Sequence, residues 1–261
     1  MRSRRPVATL LLAGALLLSA ACGTGGAGTR SGGDTHVTGP ITVLAAASLT
    51  GTFPALGRAF EKAHPGTAVA FSFGASSSLA RQVTEGAPAD VFAAASRTTM
   101  DTVTRARDAA GTPAVFARNR LEIAVPPANP GHVRGLADFA RPELRIAICA
   151  PQVPCGAAAA TAFAATGVTP RPDTLEQDVK ATLAKVVSGE ADAALVYRTD
   201  VRAAGAAVRG LDFPEADRAV NDYPIVALRE SRNPATAAAF RDFVLSPAGR
   251  SMLVAAGFDA P

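Results

Sequence analysis

The stretch Ile41-Thr42-Val43-Leu44-Ala45-Ala46-Ala47-Ser48-Leu49-Thr50 opens the part of this chain that has the pattern of a folded protein. Its apolar run is typical of a buried strand, and Ser48 follows where a helix would begin. The stretch Phe71-Ser72-Phe73-Gly74-Ala75-Ser76 has the same form. Strands that end in small hydroxyl residues before a helix are typical of open α/β sheets, in which ligands bind beyond the carboxyl ends of the strands.

Apolar runs and helical patterns alternate along the rest of the chain. Asn233-Pro234 and Ser246-Pro247 each place a capping residue before a proline, which predicts two C-terminal helices. Two amphipathic helices are predicted from apolar residues at helical spacing: Phe53, Leu56 and Phe60 in one, and Val179, Leu183, Val186 and Val187 in the other. Buried strands are predicted at residues 41–47, 68–73, 90–95, 121–125, 144–149, 193–197 and 225–228. The predicted fold class is therefore α/β.

A basic and apolar segment precedes this pattern. The apolar run at 7–21 is shorter than the roughly 20 residues that span a bilayer as a helix, so residues 1–21 are interpreted as a secretory signal peptide. The segment resembles bacterial lipoprotein signals, in which the cysteine after the cut, here Cys22, carries lipid. Plain secretion with cleavage near Ala21 is the alternative. Arg4-Arg5 partly resembles a twin-arginine signal, so the export route, Sec or twin-arginine, stays open.

Residues 22–40 are rich in Gly, Thr and Ser and have no apolar periodicity, which favours a flexible tether. Gly23-Thr24-Gly25-Gly26-Ala27-Gly28 matches a dinucleotide-binding pattern, but the strand that such a site needs does not precede it. Three of the 26 basic residues lie in the first five positions, so removal of the leader leaves a nearly even balance with 22 acidic residues. With no Trp and no long basic run, the chain is not expected to bind nucleic acid.

The sequence does not favour an enzyme. Ser48 lacks the flanking glycines of a nucleophile elbow, so a secreted serine hydrolase is a remote alternative. His36, His64 and His132 are scattered without the spacing of metal ligands. We expect neither a catalytic residue nor a cofactor.

Several segments together resemble the periplasmic molybdate-binding protein family, the receptors of ABC importers for tetrahedral oxyanions. The resemblance covers residues 41 to about 258 and implies a two-lobed periplasmic binding protein of type II, with a hinge of two crossing strands. It places lobe 1 at 37–121 plus 224–261, lobe 2 at 122–223, and the crossings near 121–125 and 223–228. Besides 41–50, the matching segments are Ser76-Ser77-Ser78-Leu79-Ala80-Arg81-Gln82, Gly86-Ala87-Pro88-Ala89-Asp90-Val91-Phe92, Val153-Pro154-Cys155-Gly156, Asp178-Val179-Lys180, Leu195-Val196-Tyr197 and Tyr223-Pro224-Ile225-Val226.

In that family, hydroxyls and backbone N–H groups hold the anion. The resemblance implies that Ser48, Ser76 and Tyr197 contribute hydroxyls and that Cys155 and Val179 contribute backbone N–H groups. The metal would enter only as the bound oxyanion, without direct protein ligands. Two alternatives stay open: the serines could act only as helix caps, and Val179 could be a core residue.

If Cys22 carries lipid, Cys149 and Cys155 remain as a pair in an oxidising compartment. Pro151 and Pro154 lie between them and favour the chain reversal that a disulfide needs. We predict a disulfide that fixes the loop presenting the Cys155 amide. Two free thiols are the alternative.

The function implied is an extracytoplasmic lipoprotein that binds molybdate and tungstate and delivers them to an ABC permease and its ATPase. We expect a monomer anchored by lipid to the outer face of the plasma membrane, on the periplasmic or cell-surface side. A receptor of the same fold for sulfate, phosphate or a small organic acid is the alternative. A site made only of donors would reject monohydrogen phosphate, whose proton would find no acceptor, whereas only cavity size could reject sulfate.

Overall fold

The computed structural model describes residues 37–261. The predicted signal peptide, Cys22 and the tether up to residue 36 lie outside the described residues. The strands are β1 Gly39–Ala46, β2 Thr67–Gly74, β3 Val91–Ala93, β4 Ala114–Asn119, β5 Leu121–Val125, β6 Ile146–Cys149, β7 Thr174–Glu176, β8 Ala193–Tyr197, β9 Arg209–Leu211 and β10 Asn221–Ala227. The α-helices are α1 Phe53–Ala63, α2 Ser76–Thr84, α3 Arg97–Arg105, α4 Pro154–Thr166, α5 Val179–Val187, α6 Arg198–Ala204, α7 Pro234–Leu245 and α8 Pro247–Ala255. Short 3₁₀ turns occupy Ala47–Leu49, Leu136–Ala140, Gly205–Ala207 and Pro214–Arg218.

The strands form two mixed five-stranded sheets with the same plan. The first has the order β2-β1-β3-β10-β4, and the second has the order β7-β6-β8-β5-β9. In each sheet three neighbouring strands run parallel, and the remaining two extend the sheet by antiparallel pairing. The carboxyl ends of the parallel strands therefore meet along one edge of each sheet, which is where open α/β sheets bind ligands.

The chain passes between the two sheets twice. It leaves the first sheet at Asn119 and enters the second at Leu121, so Arg120 is the first crossing. It returns between the 3₁₀ turn Pro214–Arg218 and β10, at Ala219 and Val220. The strands predicted to cross, 121–125 and 223–228, lie beside these crossings, and β5 and β10 each belong to one sheet only. The first sheet resumes at Asn221, three residues before the predicted boundary.

Each sheet is the centre of its own hydrophobic core. Phe53, Leu56 and Phe60 of α1 pack with Phe240 of α7 on one face of the first sheet. Helices α2 and α3 cover its other face through a separate cluster that includes Leu79 and Met100. The second sheet packs against α4 and α5, and its core also includes Ala47 and Ala75 from the first lobe. These two alanines bring the lobes into direct contact beside the ends of β1 and β2.

Local details depart from the sequence predictions at three places. β1 begins at Gly39, within the predicted tether, because Gly39 already pairs with Thr67 of β2. Val187 was predicted on the apolar face of α5, but its side chain is exposed at the helix end. Asn233 does not cap α7 with its side chain, which instead donates to the Pro40 carbonyl. Ser246 does cap α8, since its Oγ accepts from Gly249 N at 3.2 Å.

Candidate functional site

A small cavity lies between the two lobes. Its walls come from the residues that follow the parallel strands of both sheets, and its volume is about 20 Å³. A space of this size excludes an extended organic molecule. The lining residues are Ala46, Ala47, Ser48, Gly74, Ala75, Ser76, Ala95, Val153, Pro154, Cys155, Asp178, Val179 and Tyr197.

All five residues singled out in the sequence as ligand contacts line this one cavity. Ser48 and Ser76 come from the first lobe, and Cys155, Val179 and Tyr197 come from the second. Each of the five is at most 4% exposed. The fold therefore collects residues up to 149 positions apart in sequence around one buried point.

Ser48 belongs to a hydrogen-bonded chain that runs away from the cavity. Its Oγ lies 2.9 Å from the Tyr223 hydroxyl, and Asn119 Nδ2 donates to that same hydroxyl at 3.4 Å. The Asn119 amide is oriented because its Oδ1 accepts from Arg120 N at 3.0 Å. Its other hydrogen goes to Thr199 Oγ1 at 2.8 Å. Ser48 caps no helix, so the capping alternative does not describe it.

Ser76 is the first residue of α2, and its side chain does not cap that helix either. Its Oγ accepts a hydrogen bond from the backbone N–H of Ala95 at 3.0 Å. A hydroxyl that accepts from the protein still has its own hydrogen to donate. The Ser76 hydroxyl and the first free N–H groups of α2 therefore provide donors at the same wall of the cavity.

Two helices of the second lobe begin at the cavity. α4 starts at Pro154, which places the Cys155 amide in the first turn, and α5 starts at Val179. Asp178 caps α5, because its Oδ1 accepts from Lys180 N at 2.8 Å and from Ala181 N at 3.0 Å. This cap leaves the Val179 amide unused by Asp178. The first N–H groups of a helix carry partial positive charge and favour an anion.

Tyr197 supplies the second lobe's hydroxyl. Its side chain is 1% exposed, and its Oη has no hydrogen-bond partner among residues 37–261. Burial, together with Tyr223 and Asp200 nearby, raises the pKa of Tyr197 well above its ordinary value, so the phenol keeps its proton. Its ring meets that of Tyr223 edge to face, with centroids 6.1 Å apart. A buried hydroxyl without a partner at a cavity wall is a donor that a ligand can use.

An ion pair lies directly behind Tyr197. Asp200 is fully buried, and its Oδ1 lies 2.8 Å from Lys180 Nζ. Its Oδ2 accepts from the backbone N–H of Tyr197 at 3.3 Å. Burial raises the pKa of Asp200 to about 6, although the Lys180 ammonium acts in the opposite direction. This pair was not predicted from the sequence, since no spacing rule brings residues 180 and 200 together.

A disulfide braces the second lobe's wall. Cys149 ends β6, Cys155 lies in the first turn of α4, and the two are joined with Cα atoms 5.7 Å apart. The disulfide predicted from the sequence is therefore present. Cys149 Sγ also lies 3.2 Å from Thr182 Oγ1 of α5. The residue after Cys155 is Gly156, and a Cβ at this position would collide with the carbonyl of Ala150.

The cavity offers hydrogen-bond donors and no cationic side chain. Among its lining residues Asp178 alone is charged, and its Oδ1 accepts the two bonds that cap α5. Within residues 37–261 no group of three or more His, Cys, Asp or Glu could hold a metal ion. Neutral donors can replace the hydration shell of a buried anion without burying an unpaired cation. The arrangement suits a small, fully ionised anion.

A larger hollow of about 640 Å³ lies at the other end of the first sheet, and it lacks this chemistry. Its most buried acid, Asp90, uses both carboxylate oxygens inside the protein. Oδ2 accepts from Thr42 N at 2.7 Å, and Oδ1 accepts from Ser231 Oγ and Arg232 N. Asp90 therefore ties three segments of lobe 1 together. No helix within residues 37–261 combines the length and apolarity required to cross a bilayer.

Comparison with known proteins gives consistent matches over this body. The model of a family described as bacterial extracellular solute-binding protein matches residues 41–259. The molybdate-binding protein ModA of Mycobacterium tuberculosis strain H37Rv is 40% identical over 255 residues, which cover 98% of this chain and 96% of the relative. The periplasmic molybdate-binding protein of Azotobacter vinelandii has a TM-score of 0.74 at 24% identity, covering 85% of this chain and 99% of that one. The sulfate-binding protein SubI of M. tuberculosis H37Rv also has a TM-score of 0.74, at 20% identity, covering 85% of this chain and 86% of that one.

The two solved structures share the fold of this chain, and they confirm the prediction of a two-lobed α/β fold. The match to a solute-binding family confirms that the chain is not an enzyme, and a binding protein of this kind implies no cofactor. Its relatives act outside the cytoplasm. The chain belongs to the bacterial extracellular solute-binding proteins, in the family that includes the molybdate-binding protein ModA.

Proposed function

We propose that this protein binds molybdate, and tungstate with it, outside the cytoplasm and delivers the anion to the permease and ATPase of an ABC importer. The observation that carries the proposal is the composition of the cavity between the lobes. Five residues matching the family's ligand positions surround it, and it has no cationic side chain. The relative named as a molybdate-binding protein, at 40% identity, supports the choice of ligand.

In this proposal the anion receives hydrogen bonds from both lobes. Ser48 and Ser76 donate their hydroxyls from lobe 1, while Tyr197 donates its phenol hydroxyl from lobe 2. The backbone N–H groups of Cys155 and Val179 complete the set. Each charge-assisted hydrogen bond contributes roughly 1.5–3 kcal/mol net, so five of them also favour closure of the lobes on the anion.

A sulfate receptor is the second candidate, because sulfate is also a fully ionised tetrahedral dianion and SubI shares the fold. Neutral donors treat the two anions alike, and only the size of the closed cavity separates them. Phosphate is disfavoured because its monohydrogen form brings a proton, and an unmatched polar group in a closed site is costly.

Calorimetric titration of the purified protein at neutral pH with molybdate, tungstate, sulfate and phosphate tests this function. Submicromolar binding of molybdate and tungstate with little heat from the other two supports the proposal. Tight binding of sulfate alone would show that the protein is a sulfate receptor, the second candidate. No heat with any of the four refutes an oxyanion receptor.

We also propose that Cys22 carries a lipid anchor and that the protein acts as a monomer. The lipoprotein-like signal at residues 1–21 supports the anchor. The variant Cys22→Ala should move the protein from the membrane fraction to the soluble exported fraction. Equal partitioning of the two forms would refute the anchor, and a dimer in solution would refute the monomer.

A further inference from the structure

In the row of hydrogen bonds behind Ser48, the donor and the acceptor of each bond can be assigned. The amide of Asn119 cannot be reversed without losing the bond from Arg120 N to its Oδ1, so its Nδ2 must face Thr199 and Tyr223. An N–H group can only donate, so the Tyr223 oxygen accepts from Asn119. Within the described residues, Ser48 Oγ, at 2.9 Å, is the acceptor in hydrogen-bond geometry for the Tyr223 hydroxyl hydrogen, so Tyr223 is assigned as the donor of this bond.

This assignment determines what Ser48 can offer to the cavity. Because its oxygen accepts from Tyr223, its hydrogen is free to point at a ligand. Tyr223 is fully buried and its pKa is raised by that burial, so its hydroxyl keeps the hydrogen that it donates. Asn119 is also fully buried. Burial therefore keeps surface water away from the side chains of Asn119 and Tyr223.

We propose that Asn119 and Tyr223 are positioning residues that hold Ser48 as a hydrogen-bond donor and thereby favour fully deprotonated oxyanions over protonated ones. Neither residue lines the cavity, so both act through Ser48. If Tyr223 did not donate, the Ser48 oxygen could turn a lone pair to the cavity and accept the proton of an anion such as monohydrogen phosphate. The proposal rests on the proposed function, in which Ser48 contacts the anion.

These hydrogen bonds also connect the two lobes, which move relative to one another in a hinged protein. Asn119 is the last residue of β4, directly before the crossing at Arg120, and Tyr223 lies in β10, directly after the return crossing. Thr199, which accepts from Asn119, belongs to α6 of the second lobe. The orientation of Ser48 is thus held by contacts that include the second lobe.

Ser76 provides a matched control. It is also a buried serine at the end of a strand in lobe 1, but its oxygen accepts from the Ala95 backbone instead of from a tyrosine. A variant at Tyr223 should therefore alter what Ser48 contributes and leave the contribution of Ser76 unchanged.

The test is a pair of double-mutant cycles with molybdate, measured by calorimetric titration of the exported protein. Tyr223→Phe should weaken molybdate binding roughly fivefold to tenfold in the wild-type background. It should have less than about a twofold effect when Ser48→Ala is present, and its full effect when Ser76→Ala is present. The proposal is overturned if Tyr223→Phe weakens molybdate binding as much in the Ser48→Ala background as in the wild type, or if it has no effect in the wild type.

Selectivity gives a readout that loss of stability alone would not change. The ratio of molybdate to phosphate affinity should fall in Tyr223→Phe, and an unchanged ratio overturns the selectivity part of the proposal. If Tyr223→Phe does not fold, Asn119→Leu replaces it in the same cycles, with the same outcomes expected. Wild-type protein that binds none of the four anions refutes the proposed function and this inference together, whereas wild-type binding with additive cycles overturns the inference alone.

Discussion

The carboxylate of Asp200 accepts a hydrogen bond from the backbone N–H of Tyr197, the residue whose own hydroxyl faces the cavity without a partner. A buried carboxylate thus lies next to the proposed anion site. Lys180 pairs with this charge at 2.8 Å, and Asp178 is a further acid nearby. The charge state of Asp200 should therefore influence how tightly an anion is held.

The first prediction is that oxyanion binding becomes tighter as the pH falls through about 6. Protonation of Asp200 in this range removes a negative charge and leaves the Lys180 cation, which should raise affinity roughly threefold to tenfold between pH 7.5 and pH 5.5. Titration of molybdate across this range measures the effect. Asp200→Asn should have the same affinity at both pH values, and a persistent pH dependence in that variant would assign it to another group.

The same raised pKa also affects the stability of the folded protein without ligand, and in the same direction. A carboxyl whose pKa is raised on folding binds its proton more tightly in the folded state, so its contribution to stability is lost as the pH rises from about 4 to about 6. Asp200→Asn should not show this loss. Thermal unfolding of the ligand-free wild type and of Asp200→Asn at pH 4.5 and pH 7 measures the contribution of Asp200 to stability apart from the effect of the ligand.

The second prediction concerns the Tyr197 hydroxyl. Tyr197→Phe should weaken molybdate binding by roughly 1.5–3 kcal/mol, because it removes one charge-assisted donor. The ligand-free variant should be as stable as the wild type or more stable, since the hydroxyl has no partner in the described part of the chain. Calorimetric titration and thermal unfolding measure the two effects. Unchanged affinity would remove Tyr197 from the site.

The third prediction concerns the bridge between Cys149 and Cys155. The variant with both cysteines changed to alanine should lose about 2 kcal/mol of unfolding free energy, as expected for a short closed loop. Molybdate affinity should fall as well, because the bridge holds the start of α4 and contacts Thr182 of α5. Denaturant unfolding and titration give both values. Reactive thiols at both positions in the unreduced protein would contradict the bridge itself.

The fourth prediction concerns Gly156. A methyl group there would meet the Ala150 carbonyl, so Gly156→Ala should displace the first turn of α4 and weaken molybdate binding at least about tenfold. Gly135→Ala is the matched control in the same lobe. Gly135 has extended backbone and open space around its Cα, so this change should leave affinity unaltered. Similar losses in both variants would show that the effect does not come from α4.

The fifth prediction concerns the hinge. Asp259 pairs through its backbone with Arg118 of lobe 1, and its carboxylate contacts Arg120 at the crossing and Arg198 of lobe 2 at 2.7–2.9 Å. Asp259→Asn should weaken molybdate binding by about 0.5–1 kcal/mol, since partly exposed ion pairs contribute little. The loss should shrink in high salt. An effect independent of ionic strength would indicate a different role for Asp259.

Asp259 also predicts a pH effect of its own. Partial burial raises its pKa, but hydrogen bonds from Arg198 and Arg120 prevail and hold it below the ordinary value. Its contribution to stability is therefore present at neutral pH and is lost as the pH falls through the acid range. This direction is opposite to that of Asp200, so unfolding of the two variants as a function of pH distinguishes the groups.

Most of the fold could be predicted because the elements that form its core have strong local patterns. All seven predicted strands coincide with strands of the two sheets. The strands that were missed are β4, β7 and β9, of which β7 and β9 have three residues each. β4 was missed because Arg118 and Asn119 interrupt its apolar pattern. Both side chains have partners that are distant in sequence. Arg118 donates to Asp222, and Asn119 donates to Thr199 and Tyr223.

The sequence by itself determined the α/β alternation, the helix starts at Val179, Pro234 and Pro247, and the hydroxyl residues that follow strands. These features depend on neighbours along the chain, through apolar period, capping and the geometry of proline. The resemblance to a family then indicated which of those residues belong together. No local rule required them to surround one point.

Only the tertiary structure decided the rest. It joined the lobes at Ala47 and Ala75, placed Asp200 against Lys180, and connected Asn119 through Tyr223 to Ser48. The physical reason is that buried polar groups take whatever partner the packing brings within about 3 Å, and that partner can lie anywhere in the sequence.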